Sequence, residues 1–224
     1  MQIAGFEKNS LVDFPSVLAS VIFTPGCNMG CWYCHNEGIK NNPDITMEYI
    51  LDFLNKRKGF IDGVVFSGGE ATLQPDLLEQ MQKVKNLGYK VKLDTNGTNP
   101  SVLKELIDKQ IVDYVAMDIK APFDKYKQIV KTDIDIEKVK QSISILMEGR
   151  VDYEFRTTMS PDLFIEDIKE IAKYIKGAKR YSIQQYRQMC HNKKLEQKPH
   201  EPDYIRLAKE VCQTYVDQVL TKGV

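Results

Sequence analysis

Residues 63–88 read GVVFSGGEATLQPDLLEQMQKVKNLG. The run Gly63–Phe66 is short, apolar and β-branched, the pattern of a strand covered on both faces. Beyond it Leu77, Leu78, Met81 and Val84 recur at helical spacing, and Gly88 follows as a C-terminal cap. Between the two lies a polar, glycine-rich turn, Ser67-Gly68-Gly69-Glu70. This strand–turn–helix unit is the template for the chain.

The template repeats on both sides. Upstream, Ala19–Thr24 (ASVIFT) reads as a buried strand, and Ile50, Leu51 and Leu54 share a face in Met47–Lys58. Downstream, Lys90–Leu93 precedes a helix announced by Asn99-Pro100, a capping residue and a first-turn proline. Tyr114–Met117 is followed by one or two helices in Phe123–Met147, and Val151–Thr158 by an apolar face of Ile165, Ile168, Ile171, Ala172 and Ile175 ending near Gly177. Arg180–Gln184 is the last strand, and a final helix is expected from Pro202 to Leu220. Strand–helix alternation of this kind builds a parallel sheet with helices packed outside. Six units fall short of the eight that close a complete barrel, so the expected α/β fold is a curved, partly open barrel. An open doubly wound sheet is the alternative. No linker divides the 224 residues, which suit a single domain with Met1–Ala19 as an N-terminal extension and Met189–Val224 as a C-terminal loop and helix.

Lys+Arg and Asp+Glu are both 31, so no basic excess points to nucleic acid or a membrane surface. No stretch approaches the roughly 20 apolar residues of a membrane span, and no signal-peptide pattern opens the chain. A reducing cytoplasm is expected, where clustered cysteines read as a metal site.

Cys27, Cys31 and Cys34 stand in C-x3-C-x2-C spacing, directly after a strand. Cubane 4Fe–4S clusters normally take four thiolates; three leave one iron open to a small molecule. A zinc site completed by His35 is the competing reading. It fits less well, because His35 directly follows Cys34, whereas zinc ligands usually arrive as separated pairs. Cys212 lies among apolar residues and reads as core, and Cys190 stands alone in a polar stretch. Polar residues also gather where each strand ends: Thr24, Ser67 to Glu70, Asp94 to Gly97, Asp118 and Lys120, Arg156, and Gln184 to Tyr186. In parallel α/β folds those ends form one rim, where ligands bind.

The cysteine spacing, with Tyr33 before the last cysteine, resembles the signature of the radical S-adenosylmethionine (SAM) enzymes. Ser67-Gly68-Gly69-Glu70 resembles their GGE motif, Asp94-Thr95-Asn96-Gly97 their DTNG turn, and Asp118-Ile119-Lys120 their D-[LI]-K segment. In this order the motifs resemble the glycyl-radical-enzyme activases. Ser10-Leu11-Val12-Asp13-Phe14-Pro15 and Cys34-His35-Asn36 are most similar to the branch that activates anaerobic ribonucleoside-triphosphate reductase. Ser16 stands where glycine often follows that proline.

The resemblance implies a partial (β/α)6 TIM-like barrel, with Cys27, Cys31 and Cys34 holding a 4Fe–4S cluster whose open iron is chelated by SAM. It implies reductive cleavage to a 5′-deoxyadenosyl radical that takes hydrogen from a glycine of a partner enzyme, with flavodoxin or ferredoxin as electron donor. Gly68 and Gly69 would let backbone approach the methionine portion, Ser67 flanks them, and Glu70 would accept from its ammonium. Asp94, Thr95, Asp118, Lys120 and Arg156 would surround the carboxylate, with room for a monovalent cation near Asp94 and Asp118. Tyr33 and His35 would lie beside the adenine, and Gln185 and Arg187 would close the adenosine side, Arg187 standing where related activases often carry histidine.

Overall fold

The computed structural model describes residues 1–36, 39–188 and 197–224, so Cys190 lies outside the described residues. Eight strands form one sheet: β1 (Gly5–Ser10), β2 (Ala19–Thr24), β3 (Gly63–Gly68), β4 (Lys90–Thr95), β5 (Tyr114–Asp118), β6 (Asp152–Met159), β7 (Arg180–Gln185) and β8 (Gln218–Lys222). Their spatial order is the chain order. β1 runs antiparallel to β2, and every later neighbour is parallel. Right-handed crossovers in one unbroken direction put all the helices on one face. The order has no reversal, so the doubly wound alternative fails and the sheet curls into an incomplete barrel.

The helices are α1 (Met47–Lys56), α2 (Leu77–Asn86), α3 (Pro100–Asp108), α4 (Tyr126–Val130), α5 (Ile136–Met147), α6 (Ile165–Tyr174) and α7 (Pro202–Cys212). Their apolar faces pack with Ile22, Phe66, Leu93, Val115, Phe155 and Ile183, the outward residues of the strands, in one large core. Thr46 caps α1 by accepting from the Tyr49 N–H at 3.2 Å. Gly88 ends α2 at φ +94°, the left-handed conformation that favours glycine. Cys212 is fully buried, as its apolar neighbours imply.

The other strand face looks into the barrel. Its floor is a second, small core of Phe14, Ala19, Val21, Val65, Tyr114 and Ala116. The Phe14 and Tyr114 rings lie 5.8 Å apart. Gly63 is required there, because a Cβ would come within 2.9 Å of the Phe14 ring. The Ser10–Pro15 motif therefore plugs the barrel from below. Ser10 Oγ accepts from the Val12 and Asp13 N–H groups and donates to Asp13, which fixes the turn.

Two elements differ from expectation. The N-terminal extension contains β1, whose half-exposed, charged sequence carries no strand signal. The last helix stops at Cys212, and Gln218–Lys222 joins β7 as a parallel strand. Tyr215, Val216, Val219 and Thr221 are aromatic or β-branched and fit a pleated surface; the apolar spacing of so short a segment suits either period.

Candidate active site

A cavity of about 440 Å³ opens among the carboxyl ends of the strands. Cys27, Cys31, Tyr33, Cys34, His35, Ser67, Gly68, Gly69, Glu70, Asp94, Thr95, Asp118, Lys120 and Arg156 all line it. Gln185 does not: it faces away, and its Nε2 donates to the His200 carbonyl at 2.7 Å. Gln184, one residue earlier and on the inner face, takes its place on the wall. Arg187 is not on the wall either, although its charge is felt at His35. Partial burial first, and Arg187 second, hold that imidazole below its ordinary value. Asn36, Asn96 and Thr158 also line the cavity. Of these, Asn96 and Asn36 were within reach of sequence reasoning, since one sits inside the DTNG turn and the other in Cys34-His35-Asn36.

The cysteine loop is pinned from several sides. The Gly30 N–H donates to the Val130 carbonyl at 2.8 Å, and the Cys34 N–H to that of Cys31 at 3.1 Å. Asn96 Nδ2 lies 3.8 Å from Cys27 Sγ and 2.9 Å from Asn28 Oδ1, and Asn28 Nδ2 donates to Thr98. Burial pushes the Cys27 and Cys31 thiols up, with Lys120 acting in the opposite sense. Such thiols give up their protons most readily to a bound metal. Among the described residues no three His, Cys, Asp or Glu side chains converge on a single ion. A cubane meets each thiolate at a different iron, so the donor set fits a 4Fe–4S cluster better than zinc.

Gly68, the last residue of β3, and Gly69 after it also meet a packing demand within the fold. A Cβ on Gly68, whose φ is +113°, would lie 2.3 Å from the Thr24 nitrogen, and one on Gly69 would lie 1.9 Å from the Gly26 carbonyl oxygen. The Gly69 N–H donates to Thr24 and the Glu70 N–H to Gly26, both at 2.8 Å. Asn36 Nδ2 donates to the Gly68 carbonyl at 2.7 Å. The glycines let the turn press against the cysteine loop and hold it.

Glu70 is 1% exposed, and both its oxygens are engaged. One accepts from the Thr72 N–H and from the Thr72 and Thr95 hydroxyls, the other from the Asn96 N–H at 2.7 Å. Burial nevertheless pushes its carboxyl up. Glu70 caps the short 3₁₀ turn Ala71–Leu73 and ties β3 to β4. The Tyr33 hydroxyl is buried, in a residue that lines the cavity, and has no hydrogen-bond partner among the described residues. Its ring lies edge-on to Trp32 at 5.6 Å.

On the opposite wall Arg156 Nε donates to Asp118 at 2.8 Å, and its Nη1 lies 3.4 Å from Asp94. Lys120 pairs with Asp118 at 3.0 Å, Ser67 Oγ donates to Asp94 at 3.0 Å, and Lys92 pairs with Asp94 from below. Burial alone would raise the Asp118 carboxyl; Arg156 and Lys120 outweigh it and hold Asp118 well below the ordinary carboxylate range. Two carboxylates thus face three protein cations. On this wall the protein itself supplies positive charge for a ligand carboxylate.

The profile of the Radical SAM superfamily matches residues 21–175, more than half of the chain. A protein of Methanocaldococcus jannaschii named as a glycyl-radical enzyme activating enzyme is 37% identical over 235 aligned residues, covering 99% of this chain and 96% of the relative. The pyruvate formate-lyase 1-activating enzyme of Escherichia coli K12 is 31% identical over 138 residues, 57% of this chain and 55% of that enzyme. Among solved structures, Streptococcus suis SuiB bound to S-adenosylmethionine superposes with a TM-score of 0.73 at 15% identity over 88% of this chain, which spans about half (48%) of SuiB. That likeness speaks for the fold alone. By its matched profile and its near full-length relative, the chain belongs to the radical SAM superfamily, among the glycyl-radical-enzyme activating enzymes.

Proposed function

We propose that this chain installs a glycyl radical on anaerobic ribonucleoside-triphosphate reductase, and that the cavity at the strand ends is its SAM site. The observation that carries the site reading is the meeting of Cys27, Cys31 and Cys34 with the net-positive group of Asp94, Asp118, Lys92, Lys120 and Arg156 in or beside one cavity. A bound cluster would supply one electron to the sulfonium of SAM, whose sulfur–C5′ bond would break to release methionine and a 5′-deoxyadenosyl radical able to take hydrogen from the partner's glycine.

Cys27, Cys31 and Cys34 are the three thiolates for the cluster. Arg156 and Lys120 offer N–H groups to the substrate carboxylate, because their own carboxylate partners leave donors to spare. Tyr33 and His35 border the adenine, and the unpartnered Tyr33 hydroxyl is available to a bound ligand. Glu70 keeps the two loops in register, and its second oxygen, which accepts only the Asn96 N–H among the described residues, keeps capacity for the substrate ammonium. Exposed Cys27 gives the donor, flavodoxin or ferredoxin, its side of approach. The reducing cytoplasm suits free thiols.

The choice of partner rests on the likeness of Ser10–Pro15 and Cys34–Asn36 to the reductase-activating branch. After anaerobic reconstitution, the protein is mixed with SAM, a low-potential reductant and either anaerobic ribonucleotide reductase or pyruvate formate-lyase. A glycyl-radical doublet by electron paramagnetic resonance only with the reductase supports the proposal; a doublet only with the lyase shifts the partner. Changing Cys27, Cys31 or Cys34 to Ala is expected to abolish 5′-deoxyadenosine formation, and turnover retained in any of the three would refute the cluster assignment.

A further inference from the structure

Lys92 belongs to the charged group beside the cavity yet has no contact with the cavity itself. Lys92 is 1% exposed, in the middle of β4 between Val91 and Leu93, and its ammonium contacts Asp94 beneath the cavity. The Tyr114 ring lies on its floor side, 6.0 Å from Nζ. Lys92 does not line the cavity itself, whereas Asp94 and Arg156 do. A buried ammonium is costly unless paired; burial holds its pKa below the ordinary lysine value, and Asp94 offsets part of that fall. Asp94 in turn receives Ser67 and faces Arg156, whose guanidinium is held from the other side by Asp118. Glu70 is held in its own hydrogen bonds to Thr72, Thr95 and Asn96; on the facing wall Asp94 and Asp118 balance Lys120 and Arg156, and Lys92 adds one positive charge beside that balanced group.

We propose that Lys92 is the positioning residue for carboxylate recognition. Its ammonium anchors Asp94, so that Asp94 and Asp118 clamp the Arg156 guanidinium in a fixed plane at the cavity wall. It also supplies the surplus charge by which the site prefers a substrate bearing a carboxylate. The inference rests on reading the cavity as the SAM site and adds a residue that touches no ligand.

The test compares SAM with its decarboxylated analogue, measuring the binding of each to cluster-loaded wild type and Lys92→Met by equilibrium dialysis. Lys92→Met keeps the length of the side chain and removes the charge. Affinity for SAM is expected to fall roughly tenfold, the scale of one unit charge acting across a protein interior, while affinity for the analogue changes less than about twofold. Equal losses for both ligands, as a purely structural role would give, or no loss for either, overturn the proposal. Wild type that binds neither ligand refutes the site reading instead. Lys92→Ala provides an independent arm, because it leaves room for a free ammonium ion beside Asp94. SAM should bind this variant more tightly in ammonium chloride than in tetramethylammonium chloride at equal ionic strength; identical affinities overturn the proposal.

Discussion

Gly69 has no room for a methyl group, since its Cβ would meet the Gly26 carbonyl at 1.9 Å. Gly69→Ala is expected to cost about 1–3 kcal/mol in urea unfolding, the usual range for overpacking. Because the displaced backbone is the cysteine loop, iron and sulfide content after reconstitution should fall more steeply than stability. Ser16 shows the reverse situation. It adopts φ +59° without being glycine, which accounts physically for the glycine common there in related chains. Ser16→Gly removes left-handed strain but loosens the unfolded chain, for a net gain of about 0.5 kcal/mol, readable as a raised urea midpoint. At this scale the sequence made the cysteines and the strand-end polar residues plain, because their types and spacing carry the chemistry. It hid the packing role of the glycines, since what a missing Cβ makes room for depends on a loop some 40 residues away in sequence. It hid Lys92 as well, for a lysine in a strand ordinarily faces water. The parity it shares with Asp94 was the available signal.

Strands β2, β3 and β5 were legible as nearly unbroken apolar runs, and β4, β6 and β7 as alternating ones between turn and helix signals. The flanking strands were not. β1 owes its form to pairing with β2, and β8 to pairing with β7, and neither partnership leaves a local pattern. A strand's alternation also decides small matters: Gln184 points into the cavity and Gln185 out, so an error of one residue exchanges wall for exterior. β8 contributes more than an edge. Its Lys222 lies 3.0 Å from Glu154, which is 1% exposed and among the described residues otherwise receives only Ser182. Lys222→Met should therefore destabilise by about 2 kcal/mol, because it leaves a buried carboxylate without its counter-charge. The companion Glu154→Gln/Lys222→Met should recover part of that loss in the same unfolding measurement, and strict additivity would contradict the pairing.

The whole molecule packs its helices around the outside and keeps ions within. Asp94 and Asp118 have folded pKa values below their ordinary ones. A depressed carboxyl contributes stability that is present above the unfolded value, roughly 4, and drains away as pH falls toward the folded one. Acid titration followed by circular dichroism should accordingly show stability declining below about pH 4, with a shallower decline in Asp118→Asn. The interior charges also bear on how such a sequence can change over generations. Lys92, Asp94, Asp118, Lys120, Arg156, Glu154 and Lys222 compensate one another across four strands and an adjoining loop. Losing any one strands its neighbour, whereas losing matched partners together does not. Descendants of this chain would keep these residues or give them up as groups, and stepwise drift through the middle of the barrel would be slow even while its surface varied freely.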